Sequence, residues 1–239
     1  MSSNLHNQLQ SLEAPQSLEW LRGIQRGIEK ESLRITPEGK LAQTPHPAGL
    51  GSALTHRCIT TDYSEALLEF ITPVSTGIEE SLATLEQIHS FVYGKLQDEI
   101  LWSASMPCVV SGDQGIPVAH YGSSNVARMK TVYRYGLGHR YGRLMQAISG
   151  IHYNFSMPQA YWEQAWQEAG SPGGLRDYIS ERYLGLIRNF KRYSWLLIYL
   201  FGASPAVCAS FLKGRDKHGL QAFDEQGRSL YLPHSTSLR

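Results

Sequence analysis

Apolar residues recur along this chain in two rhythms, every second position and every third or fourth, and these lay out interspersed strands and helices. Ser17 to Arg22 closes a short helix, with Leu18 and Leu21 expected on its buried side. Gly23 to Ile35 alternates loosely and reads as an extended segment. Pro37-Glu38-Gly39 is a turn signal between Leu33-Arg34-Ile35 and Lys40-Leu41, which predicts a hairpin. Glu65 to Thr72 reads as a second strand, stopped by Pro73.

Thr76-Gly77-Ile78-Glu79 then has the form of a capping box. Leu82, Leu85, Ile88, Val92, Leu96 and Ile100 follow at steps of three and four, so an amphipathic helix is expected there. Glycines and prolines mark Pro107 to Tyr121 as loops, and the helical spacing of Arg128 to Met145 is interrupted by Gly136, Gly138 and Gly142. Ile148 to Ser156 alternates again as a strand. A long helix is predicted over Leu175 to Leu200, with Leu175, Ile179, Leu186, Ile187 and Phe190 turned inward and Gly202 and Pro205 ending it. Without a regular βαβ rhythm, the expected class is α+β.

Acidic residues inside strand patterns are unusual and draw attention. Glu29 and Glu31 share one face of an extended chain, roughly 6.6 Å apart at strand rise. Two carboxylates that close repel unless a cation lies between them, and Mg²⁺ prefers such oxygen ligands. Glu65 and Glu69 likewise share a face, and Glu69 is flanked by apolar neighbours, a costly place for an unpaired charge. The competing reading is an edge strand with a solvated face. In the later strand His152 and Asn154 lie together, while Ile151, Tyr153 and Phe155 form the opposite set, expected to face the core. His152 gains a metal role only if its face meets the carboxylates.

Composition narrows the partners. Lysine plus arginine total 22 against 21 acidic residues, a net charge of +1, without the basic excess of a nucleic-acid binder. The 3 cysteines, Cys58, Cys108 and Cys208, form no CxxC pair and read as free thiols in a reducing compartment. Met1 to Gln10 is polar, and the longest apolar run, Trp195 to Phe201, is far short of the ~20 residues that span a bilayer. A cytoplasmic location with no membrane partner is expected. Neither a GxxxxGK[ST] loop nor a GxSxG elbow occurs, and Gly136-x-Gly138-x-x-x-Gly142 misses the GxGxxG spacing by one residue. Any nucleotide phosphates would therefore be held by metal ions and cationic side chains.

Several segments resemble one family. Gly23-Ile-Gln-Arg-Gly-Ile-Glu-Lys-Glu-Ser-Leu-Arg34, Leu54-Thr-His56 and Ile59-Thr-Thr-Asp-Tyr-Ser-Glu-Ala-Leu-Leu-Glu-Phe-Ile-Thr-Pro73 are similar to motifs of proteobacterial glutamate–cysteine ligases. So are Tyr121-Gly-Ser-Ser-Asn125, Gly150-Ile-His-Tyr-Asn-Phe-Ser156, Tyr199-Leu-Phe-Gly-Ala-Ser-Pro205 and Thr236-Ser-Leu-Arg239. They run in order through residues 1–239, which the resemblance identifies as the amino-terminal portion of a single catalytic domain.

The resemblance implies a glutamine-synthetase/guanido-kinase-like antiparallel sheet with flanking helices. It implies magnesium ligands at Glu29, Glu31, Asp62, Glu69 and His152; the strand pattern itself gives Asp62 little support. A cysteine-side pocket would involve Tyr63, where the family often has phenylalanine, with Tyr133, Leu137 and Gln146, and Arg239 would grip substrate glutamate. The implied reaction is ATP-dependent joining of the glutamate γ-carboxylate to the amine of cysteine, the first step of glutathione biosynthesis, with Mg²⁺ as cofactor and no covalent enzyme intermediate. Members of the family are about twice as long. Their later half adds an acidic ligand, an arginine and part of the nucleotide site, and this C-terminal half is an expected partner. The alternatives are a binding module retaining partial Mg²⁺ or amino-acid binding, and another carboxylate–amine ligase on the same scaffold.

Overall fold

The structure is a computed structural model, describing residues 6, 10, 13, 15–107, 109–202, 204–213 and 217–238. Its centre is the strand β1 (Gln25–Ile35), whose alternation gives two differently used faces. Along one edge β1 pairs antiparallel with β3 (Leu67–Ile71), and β3 pairs with β2 (Ile59–Thr61). Along the other edge its first half pairs with β5 (Ile151–Ser156) and its end with β4 (Ile100–Leu101), both antiparallel. The predicted hairpin forms: Ile35 bridges Leu41, and the Thr36 N–H donates to the Lys40 carbonyl at 2.8 Å. Gly39 takes the positive φ of 77° that this turn needs. A second sheet of β6 (Ala206–Cys208), β8 (Ser229–Tyr231) and β7 (Gln221–Ala222) lies later in the chain.

One face of the main sheet, with Ile59, Leu68 and Phe70, packs on Ile88 and Val92 of a helix. On the opposite face Leu33, Ile35 and Leu67 join Tyr63, Val110, Ile116, Leu144 and Phe211 in the larger core. Arg34 is buried and anchors the far end of β1, with its guanidinium 2.5 Å from Glu99 and donating to the Glu65 carbonyl at 3.0 Å. A buried cation paired in this way is costly to leave alone, so loss of Glu99 would strand it.

The helices agree with the sequence in place more than in exposure. The first, α1 (Pro15–Arg22), buries Ser17 and sets Trp20 edge-on to Tyr161, leaving Leu18 and Leu21 exposed, contrary to expectation. In α2 (Ile78–Tyr93) the N-cap is Gly77, and Thr76–Glu79 makes no capping box. Just before the N-cap, the Ser75 hydroxyl accepts from the Gly77 N–H at 2.9 Å and hydrogen-bonds Glu80. Leu96 and Ile100 fall beyond this helix, and Leu82 is exposed. The glycines of the ambiguous region do not break α3 (Asn125–Tyr141), which Gly142 ends.

Two predicted core faces are uncovered. Ile151 and Tyr153 are 70% and 62% exposed, because α2 packs over β1 and β3 and does not extend across β5. After α4 (Gln159–Glu168) comes α5 (Leu175–Phe201), where Leu186, Ile187 and Phe190 are exposed although they were expected inward. Tyr178 and Tyr183 fasten the start of α5 to α4 and the segment before it. Its C-terminal end, Trp195 to Phe201, is apolar all round and exposed all round. A helix of that kind is satisfied only by neighbours on every side.

Tyr63 is 1% exposed, and its hydroxyl has no hydrogen-bond partner among the described residues. Burial pushes its pKa up. It lies against Gly138 so closely that a Cβ there would collide with the hydroxyl. Gly138→Ala, normally worth about 1 kcal/mol of helix propensity, is therefore expected to destabilise by about 1–3 kcal/mol through overpacking. Tyr63→Phe should restore most of that loss, as read by denaturant unfolding of the single and double variants. Equal destabilisation with and without the Tyr63 hydroxyl would refute the contact.

Candidate active site and metal centre

The register of the main sheet assembles an acidic cluster that no single stretch of sequence contains. Glu31 stands directly opposite Glu69 across β1–β3, and Glu29 directly opposite His152 across β1–β5. Direct partners in an antiparallel pair point to the same face, ~4.5–5.5 Å apart at Cα, so like charges there oppose folding. Ligand atoms of Glu29, Glu69 and His152 all lie within 4.8 Å of one another. The same face of β1 that is apolar at Leu33 and Ile35 thus turns acidic two residues earlier.

Each carboxylate is aimed by specific partners. His152 Nδ1 is 3.0 Å from Glu29 Oε2, and the Asn154 side-chain amide donates to Glu29 Oε1 at 2.9 Å. The Gly150 N–H donates to Glu31 Oε2 at 2.7 Å. A Cβ on Gly150 would sit 3.2 Å from His152 Nε2, so a glycine suits this close approach. Asp62, in the turn between β2 and β3, lines a cavity of about 440 Å³ with Glu31, His152, Gln146, Tyr141 and Met145. A larger cavity of about 610 Å³ adjoins it at Glu31, Ile148 and Gly150, walled by Trp102, Val207 and Leu238 and dotted with serine hydroxyls.

The electrostatics record the crowding. Glu69 is pushed up to about 7, by burial first and then by the negative charges of Asp62, Glu31 and Glu29, with His152 pulling it back. His152 is raised, chiefly by its hydrogen bond to Glu29 and further by the carboxylates around it, against the opposing effect of burial. Oxygen donors in negative excess, with one imidazole, fit a hard divalent cation. Glu29, Glu69 and His152 would hold it, with Glu31 and Asp62 at its margin.

The five residues of the expected metal set therefore come together: Glu29, Glu69 and His152 tightly, Glu31 and Asp62 beside them. Of the expected substrate set, Tyr63 and Leu137 share the larger core cluster. Gln146 lines the cavity next to the acidic residues, but Tyr63 is sealed in the core, Tyr133 is exposed on α3 and Leu137 packs on the core. Neither Tyr63 nor Tyr133 lines either of these two cavities. Arg239 lies outside the described residues, as does Cys108; Cys58 and Cys208 are free thiols. Sequence reasoning missed the Gly150 N–H and the places of Tyr141 and Met145 in the cavity wall. Only the motif containing Gly150 carried any signal.

In the metal-free chain Glu69 binds its proton more tightly folded than unfolded, where its ordinary value is 4.5. Its stabilising effect is complete below pH 4.5 and is lost as pH rises to about 7, because the unfolded state then binds fewer protons than the folded one. His152, also raised, slopes the same way through its own titration. Chemical unfolding across that range should show falling stability. Glu69→Gln should remove most of the fall and stabilise the metal-free chain at pH 8. An unchanged slope in that variant would assign the pH dependence elsewhere.

A sequence profile described as glutamate–cysteine ligase matches residues 9–239. The chain is 65% identical over 219 residues to a glutamate–cysteine ligase of Alcanivorax borkumensis, covering 92% of this chain and 41% of that protein. It is 56% identical over its whole length to the enzyme of that name from Pseudomonas putida, covering 45% of it. The chain thus spans less than half the length of the curated relatives it matches. Among solved structures it resembles glutamate–cysteine ligase from Francisella tularensis in complex with AMP, with TM-score 0.81, 40% identity, and coverage of 90% of this chain and 42% of that one. A bifunctional glutathione synthetase from Pasteurella multocida aligns with TM-score 0.71 and 34% identity over 79% of this chain and 24% of that one. Acidic face, fold and sequence agree: this chain belongs to the glutamate–cysteine ligase family.

Proposed function

We propose that this chain carries the metal-binding half of an ATP-dependent glutamate–cysteine ligase site, on a sheet of the glutamine-synthetase/guanido-kinase-like type. The observation that carries this reading is the meeting of Glu29, Glu69 and His152 from three strands, beside Glu31 and Asp62, which with His152 line a cavity that adjoins a larger one. Support for a nucleotide comes from the Francisella relative, solved with AMP. Mg²⁺, when bound, supplies positive charge that neutralises the triphosphate.

The chain's own residues hold and orient. Glu29 is locked by His152 and Asn154, and Glu31 by the Gly150 N–H, so the centre is pre-organised. The adjoining cavity, with Gln146 on the acidic side and serine hydroxyls within, offers room for the amino-acid substrates. In the proposed reaction the glutamate γ-carboxylate takes the γ-phosphoryl group of ATP and ADP leaves. The cysteine amine then attacks the acyl phosphate, forming the amide and expelling phosphate. Arg239 remains the proposed carboxylate grip. Among the described residues no helix is long and apolar enough to cross a membrane, which accords with a proposed cytoplasmic setting.

A second reading has its own observation. The apolar faces of β5 and α5 are bare, and the chain covers 41% of its Alcanivorax relative, so it could bind metal and amino acid without turnover. The assay is ATP-dependent γ-glutamylcysteine formation by this chain alone and after addition of a polypeptide equivalent to the relatives' remaining part. Product in the second condition, lost in Glu29→Gln, is expected. No product in either condition leaves the binding reading. Cysteine compared with other amines tests the acceptor.

A further inference from the structure

Tyr121 and Arg134 stand outside the lining of both cavities, yet they grip the turn that carries Asp62. The Tyr121 hydroxyl lies 2.7 Å from the Thr61 carbonyl oxygen and 3.0 Å from that of Asp62. Arg134 Nε donates to the same Asp62 carbonyl. The charged Arg134 donor thus holds that oxygen, and the single Tyr121 hydroxyl proton is shared between it and the Thr61 carbonyl. On its other side the turn is closed by the Asp62 N–H donating to Leu67 at 3.1 Å.

The grip is itself rigid. Tyr121 is buried, with the Arg134 guanidinium 4.6 Å and the Lys130 ammonium 4.8 Å from its ring centroid. Arg134 also donates to the Lys130 carbonyl at 3.0 Å, which fixes the guanidinium to α3. Thr131 ties α3 to Ala119 at 3.2 Å, and Ser124 caps its first turn through the Ala127 N–H. A turn bearing a carboxylate beside Glu69, Glu31 and Glu29 is pushed outward by repulsion whenever no cation is present. Tethering its backbone from behind keeps Asp62 at the centre without consuming its side chain.

We propose that Tyr121 and Arg134 are positioning residues that hold the Asp62 carboxylate ready for the divalent cation. The proposal rests on the metal-site reading above. Partners one step removed from a metal commonly tune its affinity ~10–100-fold.

The test measures Mn²⁺ binding by electron paramagnetic resonance on the whole chain, with thermal unfolding of the same samples. Tyr121→Phe, which keeps the ring and removes the hydroxyl, is expected to weaken binding about tenfold. Arg134→Met should do at least as much, and Arg134→Lys should recover part of it. The deciding readout is a double-mutant cycle: in the Asp62→Asn background Tyr121→Phe should change affinity little. A merely structural role predicts the same loss in both backgrounds, or a lower unfolding temperature with unaltered affinity; either result overturns the proposal. A parent chain that takes up no Mn²⁺ removes the metal-site reading itself and this inference with it.

Discussion

The structure is organised around an electrostatic conflict, the direct opposition of Glu31 and Glu69 across β1–β3 with Glu29 one pleat away. Like charges at directly opposed positions cost free energy, and burial of Glu69 raises that cost. The fold offsets it with donors drawn from elsewhere: Gly150 for Glu31, and Asn154 and His152 for Glu29. Those donors arrive because β5 pairs with the first half of β1, whereas β4 pairs with its end. The exchange of neighbours along one edge of β1 divides its face into an acidic part and the part where Leu33 and Ile35 seal the core.

Much of this was legible in the chain. Period-two spacing puts Glu29 with Glu31 and Glu69 with Leu67, and the turn residues at 37–39 mark the hairpin that follows β1. Such spacing says which residues share a face, but not what covers it. Ile151, Tyr153 and Phe155 share a face as read, yet it is bare, because α2 sits over β1 and β3. In α5 periodicity chose an apolar set, but Leu186, Ile187 and Phe190 are exposed because no other described element covers them. The Thr76–Glu79 box failed for a different reason. Ser75 bonds the Gly77 N–H and Glu80 instead, a pairing five residues apart that the capping-box spacing does not describe.

The site was legible in parts and illegible as an assembly. Meeting of His152 with Glu29 depends on β1–β5 register across more than a hundred residues, which local periodicity cannot set. Asp62 entered through resemblance alone, and the geometry shows why spacing could not find it: it occupies the turn before β3, outside any strand face. Tyr121 and Arg134 act through main-chain oxygens, and a carbonyl acceptor leaves no trace in the identity of the residue that owns it. Tyr63 also entered through resemblance alone; it packs under Gly138 with its hydroxyl buried.

Stability and chemistry pull against each other at this centre. The arrangement that suits a divalent cation is the one that costs the metal-free fold most, since Glu69 is both desolvated and crowded by like charge. A ligand that binds the folded state alone stabilises it in proportion to its affinity, and a cation placed among these carboxylates also cancels the repulsion that opposes folding. Loading and folding are then one equilibrium viewed from two sides. Bare apolar surface on β5 and α5 adds to the strain on the isolated chain, and it adjoins the acidic face because β5 carries both: His152 and Asn154 on one side of the pleat, Ile151 and Tyr153 on the other. Whatever covers the apolar side of β5 must also steady the strand that aims His152 and Asn154 at Glu29, so the packing of that strand and the geometry of the centre cannot vary independently.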